Sequence, residues 1–289
     1  MKPTFTDISI TIASNAGDGR LDMVMADHFP FSRRRIRRAI EDGGVYVNRR
    51  RCRKAGLRLK GGERIRLVML EGEKLIPFSP DQILWQEDSL YLIHKRVGQY
   101  AQEALHRSCG TLPTEMAAYL NLNAKRAGQL RPVHRLDRDT SGLMMLCTSP
   151  DMLQKLQRQW HTSVEKTYLA IVEPSPDWDT KMIQARIASG RDHHGRYHVS
   201  VDGRACKSEA SVLERNGKRA LLKLIPHTGR THQLRVHLAH AGCPILGDAR
   251  YGGAPHTRMM LHAYRLCIHP PALSRRHDWK IDPEENWQW

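Results

Sequence analysis

No uncharged apolar run in this 289-residue sequence approaches the roughly 18 residues that a membrane-spanning helix needs. The first residues, MKPTFTDISITIASNAGDG, also lack the basic-then-apolar order of a secretory signal. The first absence excludes a helical membrane protein. Together the two absences predict a soluble, cytoplasmic protein that has no membrane partner.

Paired cysteines and a recognisable metal-ligand pattern are absent as well. The chain has no C-x-x-C, and its cysteines stand singly, at Cys52, Cys109, Cys147, Cys206, Cys243 and Cys267. Scattered cysteines without a secretion signal are typical of reduced, partly buried thiols. The sequence also lacks H-E-x-x-H, and its 16 histidines make chance groupings expected, such as His232, His237 and His240. We therefore predict that the protein holds no metal.

Acidic residues are scarce relative to basic ones. Lys and Arg total 46 against 30 Asp and Glu, which gives a formal net charge of +16. Hydrophobic residues make up 40% of the chain, as in an ordinary globular protein, so the excess charge is carried by a folded chain rather than by a disordered one. A folded protein this basic is expected to act on a polyanion, and nucleic acid is the first candidate.

The basic residues are densest between Arg33 and Lys54, in a segment that reads as a folded unit. Ser32 is a candidate N-cap, and Gly43 can end the helix that follows it. A short strand, a basic turn and a second strand come next. The arginines predicted to bind the RNA backbone are Arg33, Arg34, Arg35, Arg38, Arg49, Arg50 and Arg51. A solvated helix face is the alternative.

The rest of the chain predicts a larger α+β domain. We expect residues 1–75 to form the small α/β RNA-binding domain, 76–82 a linker, and 83–289 the second domain. Strands are predicted near Ile83–Trp85, Leu90–His94, Leu143–Cys147, Thr167–Val172, Ile183–Ile187, Ser208–Leu213 and Ala220–Ile225. Helices are predicted at Thr114–Leu122, Asp151–Trp160 and Thr231–Ala241, with a short one near the end. Strands that follow one another directly favour a largely antiparallel or mixed sheet.

The segment RPVHRLDRDTSGL, residues 131–143, concentrates charged and turn-forming residues directly before an apolar strand. A carboxylate among cations, such as Asp137, is expected to stay ionised and can act as a nucleophile or a general base. A salt-bridged structural turn is the alternative. Asp139 is expected to be structural, capping the turn at Thr140.

A second segment, residues 226–251, predicts a turn followed by a helix. Leu234, Leu238 and Ala241 give that helix an apolar stripe, and Gly242 ends it. Arg235 lies beside the stripe, where its side chain can point across the sheet.

These segments resemble the signatures of the RluA/RluC/RluD family of RNA pseudouridine synthases. HRLDRDTSGL, EKTYLAIV, TGRTHQLRVHLAHAGCPILGD and LHAYRL are similar to four family motifs in their order and spacing. The pieces SRRRIRRAI, GGVYVN and GGERIRL resemble the small RNA-binding domain named after a ribosomal small-subunit protein, the S-four domain. The chain departs from the family pattern at residues 94–98 (HKRVG) and at Glu173-Pro174, which leaves the identity of the modified RNA open.

The resemblance implies an enzyme that isomerises uridine within RNA without a cofactor. It makes Asp137 the catalytic carboxylate, Tyr168 the aromatic residue that packs on the target base, and Arg235 the cation paired with Asp137. It also implies that the substrate is contacted by His134, Arg135 and Leu261. The RNA partner is expected to be large-subunit ribosomal RNA, and the protein a monomer. The alternatives are a synthase acting on transfer RNA, a non-catalytic RNA-binding protein on the same scaffold, and a metal-dependent nuclease or hydrolase.

Overall fold

The computed structural model describes residues 4–14, 19–72, 75–190, 196–284 and 287. They divide into two compact units, one comprising residues 1–77 and 102–120 and the other 78–101 and 121–289. The assignment of 102–120 to the first unit differs from the predicted boundary, which gave all residues after 82 to the second domain. Arg51 accounts for part of this difference, because its guanidinium donates to the Ala104 carbonyl at 2.7 Å. No helix in the described residues is long and apolar enough to cross a membrane.

The first unit packs helices against a small antiparallel sheet. Its strands are β1 (Thr4–Thr11), β2 (Gly19–Arg20), β3 (Val45–Val47), β4 (Arg50–Arg51), β5 (Arg58–Leu59) and β6 (Arg64–Glu71). Its helices are α1 (Leu21–His28), α2 (Arg33–Asp42) and α3 (Leu112–Tyr119). The main sheet has the order β1-β6-β3-β4, and β2 pairs with β5. Leu21, Met25, Ile36, Ile40 and Leu67 form the centre of its core, so the apolar stripes of α1 and α2 hold the unit together.

Helix α2 begins and ends where the sequence predicts. The Ser32 hydroxyl accepts a hydrogen bond from the Arg35 backbone N–H at 3.4 Å. At the other end Gly43 adopts φ 91°, and its N–H bonds back to the carbonyls of Ala39 and Ile40. Only the apolar residues of α2 are buried, which leaves its arginines at the surface.

The second unit is built on a ten-stranded mixed sheet. The strands of the unit are β7 (Ile83–Glu87), β8 (Leu90–Lys95), β9 (Arg131–Pro132), β10 (Ser141–Cys147), β11 (Val164–Val172), β12 (Thr180–Gln184), β13 (Ile187–Ser189), β14 (Tyr197–Val199), β15 (Lys207–Asn216), β16 (Arg219–Pro226), β17 (Leu261–Ile268) and β18 (His277–Lys280). Strands β13 and β14 pair with each other outside the ten-stranded sheet. Its helices are α4 (Ala124–Gln129), α5 (Pro150–Ser163) and α6 (Gln233–His240), and a 3-10 turn spans Pro80–Gln82. The order β12-β15-β16-β11-β17-β10-β8-β7 is antiparallel except between β17 and β10, which confirms the predicted α+β class.

Three predictions in this unit are wrong. The predicted strand 183–187 is two strands in different sheets, because β12 ends at Gln184 and pairs with β15, whereas β13 pairs with β14. The residues near the end form β18 instead of a short helix. The prediction omitted β17, although it lies between β11 and β10 in the sheet. Both ends of β17 are buried on both faces, so it lacks the alternation that reveals a strand.

Candidate active site

Asp137 lies in a loop, residues 133–140, that leads into β10. The loop is fixed at its start, where the Val133 N–H donates to the Met145 carbonyl at 2.8 Å, and at its end, where the Thr140 N–H donates to the Asp137 carbonyl at 3.1 Å. The second bond uses the Asp137 backbone, so the predicted capping of Thr140 by the Asp139 side chain is not the contact that closes this turn. Gly142 follows at φ 113°, where a Cβ would lie 2.3 Å from the Ala263 carbonyl oxygen of β17.

A buried lysine holds the same loop from behind. The side chain of Lys95, at the end of β8, is fully buried. Its Nζ donates to the carbonyls of Arg138 and Thr140 at 2.7 Å each, and to that of Arg96 at 3.1 Å. Burial lowers the pKa of Lys95 to about 7, against the attraction of Asp139 and Asp137. Lys95 thereby fixes the loop that carries Asp137 to the end of β8.

Arg235 of α6 bridges two carboxylates. Its Nε and one terminal nitrogen donate to the two oxygens of Asp248, at 2.7 and 2.8 Å, and the other terminal nitrogen donates to Asp137 Oδ2 at 3.0 Å. The Arg235 side chain is 8% exposed and that of Asp248 1%. Burial opposes the charge of Arg235, but the hydrogen bonds and charges of Asp248 and Asp137 outweigh it and raise the pKa of Arg235. The predicted contact between Arg235 and Asp137 is therefore present, and Asp248 anchors it.

Tyr168 and Leu261 come from the two sheet strands that face Asp137. Tyr168 lies on β11 and Leu261 begins β17, and both line the same cavity of about 490 Å³ as Asp137. Burial raises the pKa of Tyr168, and the nearby charge of Asp137 raises it further, so its hydroxyl stays protonated. An aromatic ring and an aliphatic side chain beside a carboxylate suit a flat, partly apolar group such as a nucleobase.

His134 and Arg135 lie at the same cavity but differ in exposure. His134 Nε2 accepts a hydrogen bond from the Met145 backbone N–H at 3.2 Å, and its ring stacks on Trp160 at 4.8 Å. Burial lowers the pKa of His134 to about 3, and the charge of Lys166 adds to that effect. Arg135 is exposed, and its guanidinium donates to the Thr231 hydroxyl at 3.3 Å. Arg135 is thus available to a large ligand, whereas His134 is part of the cavity wall.

The cavity is strongly basic. Arg135, Lys166, Arg230 and Arg235 line it, and Asp137 is the only acid among its described lining residues. This balance of charge favours a polyanion over a neutral metabolite.

The described histidines and cysteines give little support to a metal site. His237 and His240 do not line the cavity, and His237 is held by Ser208 Oγ at 3.0 Å. Outside the cavity, ligand atoms of Glu165, Cys267 and His269 lie within 4.8 Å of one another. Neighbouring arginines already occupy two of these residues: Arg265 donates to Glu165 at 3.1 Å, and Arg276 donates to Cys267 Sγ at 3.5 Å. Their positive charges oppose a divalent cation there.

Four of the arginines predicted to bind RNA are engaged within the first unit. Arg33 pairs with the buried Asp22 at 2.8 Å. Arg35 pairs with Glu71, Arg38 with Asp42, and Arg51 donates to backbone carbonyls.

The other three predicted arginines, Arg34, Arg49 and Arg50, are exposed and pair with no acid in the part of the chain that the structure describes. Arg37, which is not in the predicted set, is also exposed and has no acidic partner among the described residues. The sequence could not show the pairs of Arg33 and Arg35, because their partners Asp22 and Glu71 lie outside the basic segment, whereas Asp42, the partner of Arg38, lies within it.

Comparison with known proteins agrees with both units. The RNA pseudouridylate synthase family matches residues 89–240, and the S4 domain family matches residues 19–65. An uncharacterized RNA pseudouridine synthase of Chlorobaculum parvum is 35% identical over 278 residues, which cover 87% of this chain and 84% of that protein. Ribosomal large subunit pseudouridine synthase D of Neisseria meningitidis is 32% identical, over 91% of this chain and 75% of its own.

A solved structure shares the fold. Human RNA pseudouridylate synthase domain containing 1 superposes with a TM-score of 0.59 at 23% identity, over 72% of this chain and 86% of its own. The family match over residues 89–240 defines the class as RNA pseudouridylate synthase. Because the family model matches more than half of the chain and the Neisseria relative aligns with most of it, the chain belongs to the RluA/RluC/RluD family of RNA pseudouridine synthases. It also carries an S4 RNA-binding domain.

Proposed function

We propose that this pseudouridine synthase isomerises uridines of large-subunit ribosomal RNA, with Asp137 as the catalytic carboxylate and without a metal or redox cofactor. The observation that carries the proposal is the contact between Asp137 Oδ2 and Arg235 at 3.0 Å, inside a cavity that Tyr168 also lines. The Neisseria relative, whose name assigns it to the ribosomal large subunit, supports the choice of RNA.

The isomerisation of uridine to pseudouridine requires few catalytic groups. The bond between uracil N1 and ribose C1′ breaks, a bond from uracil C5 to C1′ forms, and the proton on C5 leaves while N1 gains one. Atoms and electrons balance within the substrate, so the reaction requires no oxidant or reductant. One carboxylate that acts as nucleophile or base is enough to start it.

The two oxygens of Asp137 have different surroundings. Oδ2 accepts from Arg235, whereas Oδ1 has no hydrogen bond to any described residue. We assign the reacting role to Oδ1, because it is the oxygen left for a substrate. Tyr168 would stack on the uracil, and a target inside a stem must first flip out, which costs a few kcal/mol and requires such a stacking partner.

The test of the catalytic role compares two substitutions in one loop. Asp137→Asn keeps the size of the side chain but removes its charge, and we expect pseudouridine formation below about 1% of wild type, since loss of a catalytic group costs orders of magnitude. Asp139→Asn is the matched control, because Asp139 is half exposed, and it should keep most of the activity. Full activity of Asp137→Asn with ribosomal RNA would exclude the catalytic role.

We also propose that residues 1–75 form the RNA-docking domain and that its unpaired arginines, among them Arg34 and Arg37 of α2, contact phosphates. Each phosphate contact contributes about 0.7 to 0.9 to the slope of log affinity against log salt. The double variant Arg34→Glu and Arg37→Glu should therefore weaken RNA binding and make that slope shallower by about 1.5. The control is Arg58→Glu with Lys60→Glu, which changes the net charge equally on β5 and its neighbour. Equal losses in the two variants would show a general charge effect and refute docking through α2.

A further inference from the structure

His232 adopts a backbone conformation that side chains other than glycine rarely take. It directly precedes α6 and has φ 56° and ψ 19°, in the left-handed region. Its side chain is 12% exposed and lines the same cavity as Asp137. The ring lies between those of Tyr197 and Tyr251, with centroids 5.5 and 5.6 Å away. Strained backbone held in place by packing is typical of functional sites.

Tyr251 contacts the Nδ1 nitrogen of the His232 ring. The Tyr251 hydroxyl accepts a hydrogen bond from the Tyr197 backbone N–H at 3.2 Å. Its own proton is then free to be donated to His232 Nδ1, 2.7 Å away. When the hydroxyl donates to Nδ1, the ring proton of the neutral imidazole resides on Nε2.

The protonated nitrogen of His232 faces the catalytic carboxylate. Nε2 lies 3.7 Å from Asp137 Oδ2, the oxygen that already accepts from Arg235. This separation is longer than a hydrogen bond, and catalytic hydrogen bonds commonly close only when substrate is bound.

We propose that His232 is a positioning residue for pseudouridine formation: its Nε2–H, set by Tyr251, joins Arg235 in holding Asp137 Oδ2 and so directs Oδ1 at the uridine. This inference rests on the catalytic role proposed for Asp137.

The charge state of His232 suits this role. Burial lowers its pKa to about 4, although the charge of Asp137 acts in the opposite direction, and the charges of Arg235 and Arg250 lower it further. The imidazole is therefore neutral at pH 7. A neutral donor can hold Asp137 without passing it a proton, whereas an imidazolium could neutralise the carboxylate on which the reaction depends.

Two substitutions test this role, one at His232 and one at Tyr251. His232→Asn removes the imidazole, and asparagine tolerates the left-handed backbone. Tyr251→Phe removes only the hydroxyl that fixes the tautomer. We expect each to lower kcat by about 10- to 100-fold, the range for a hydrogen bond to a charged group, with KM for RNA within about twofold. The double variant should lose little more than His232→Asn alone, because both act through one contact. His240→Asn, an exposed histidine outside the cavity, should keep wild-type kcat.

A spectroscopic measurement tests the proposal independently of turnover. In protein labelled with ¹⁵N-histidine, long-range ¹H–¹⁵N spectra distinguish the two neutral tautomers and the imidazolium, and the His232→Asn spectrum identifies the His232 signals by their loss. We expect the Nε2–H tautomer at pH 7, a mixture of tautomers in Tyr251→Phe, and a changed Nε2 shift in Asp137→Asn.

An Nδ1–H tautomer, an imidazolium at pH 7, or unchanged kcat in His232→Asn would each overturn the proposal. Full activity of Asp137→Asn would instead remove the catalytic role of Asp137, while the tautomer measured in the wild-type protein would still report on the contact with Tyr251. The two failures are therefore distinguishable.

Discussion

Asp248 is the residue whose removal should damage both stability and catalysis. Both of its oxygens accept from Arg235, and its side chain is 1% exposed. Asp248→Asn keeps the shape but removes the charge, which leaves Arg235 buried with Asp137 as its remaining anion. Breaking a buried ion pair costs about 3 to 5 kcal/mol, and the remaining contact with Asp137 places the expected loss near the lower end. A loss of about 3 kcal/mol corresponds to a fall in Tm of roughly 6 to 12 °C for a unit of this size.

Catalysis should suffer for a separate reason. Without Asp248, the guanidinium of Arg235 is free to turn and engage both oxygens of Asp137, including the Oδ1 that we assign to the substrate. We expect single-turnover pseudouridine formation to fall about 100-fold while RNA affinity stays within about threefold. Urea unfolding and single-turnover assays measure the two effects. Asp177→Asn, an exposed aspartate, is the control and should change neither. Wild-type stability and turnover in Asp248→Asn would refute the anchoring role.

Three further predictions concern the loop that carries Asp137 and the strand β10 that follows it. Lys95→Met removes the side-chain donor of three carbonyls, but those of Arg138 and Arg96 keep the N–H groups of Gly98 and Gln99, so the Thr140 carbonyl is the one left without a donor. An unsatisfied buried group costs about 1 to 3 kcal/mol, so urea unfolding should show a loss in that range, and an unchanged free energy of unfolding would contradict the tether. His134 has a pKa of about 3 when folded and an ordinary value when unfolded, so the unfolded chain binds the extra proton and stability is lost as pH falls from about 6.5 towards 3. His134→Gln should reduce the slope of unfolding free energy against pH by up to about 1.4 kcal/mol per unit in that window, and an unchanged slope would exclude a buried neutral ring. Gly142→Ala should lower Tm by several degrees, because its Cβ would meet the Ala263 carbonyl at 2.3 Å; an unchanged Tm would mean that β17 can move aside.

Local signals in the sequence predicted much of the fold. The caps of α2 and the apolar stripe of α6 depend on residues within one or two turns, and both helices form where those residues indicate. The omissions of β1 and β17 have different origins. β17 is completed by partners far away in sequence, such as β11, and its buried ends hide the alternation of a strand, whereas β1 alternates Ile8 and Ile10 with polar residues, a signal that the prediction overlooked.

Only part of the candidate site was predicted from the sequence. Asp137, Tyr168 and Arg235 stand in motifs that resemble a known family, and the structure brings all three to one cavity. Asp248 and Tyr251 also lie in or directly after such a motif, but what each does depends on a partner that only the fold brings near. Asp248 pairs with Arg235 on α6, and Tyr251 contacts the ring of His232, which directly precedes that helix.

The same limit applies to the arginines of the first unit. Sequence spacing placed them correctly on α2 and in the turn after β3, but it could not show that the buried Asp22 pairs with Arg33 or that Glu71 of β6 pairs with Arg35. Four of the seven arginines predicted to bind RNA thus have a structural partner, and the number of phosphate contacts expected from this surface is smaller than the count of arginines indicates.

The most direct test of the account is a map of pseudouridines in ribosomal RNA from cells that lack this protein, complemented with the wild type, Asp137→Asn or Asp139→Asn. We expect one or more large-subunit sites to lose pseudouridine in the deletion strain, to regain it with wild type and Asp139→Asn, and to stay unmodified with Asp137→Asn at equal protein levels. Restoration by Asp137→Asn would contradict the proposed chemistry. Sites that change only in transfer RNA would contradict the proposed substrate.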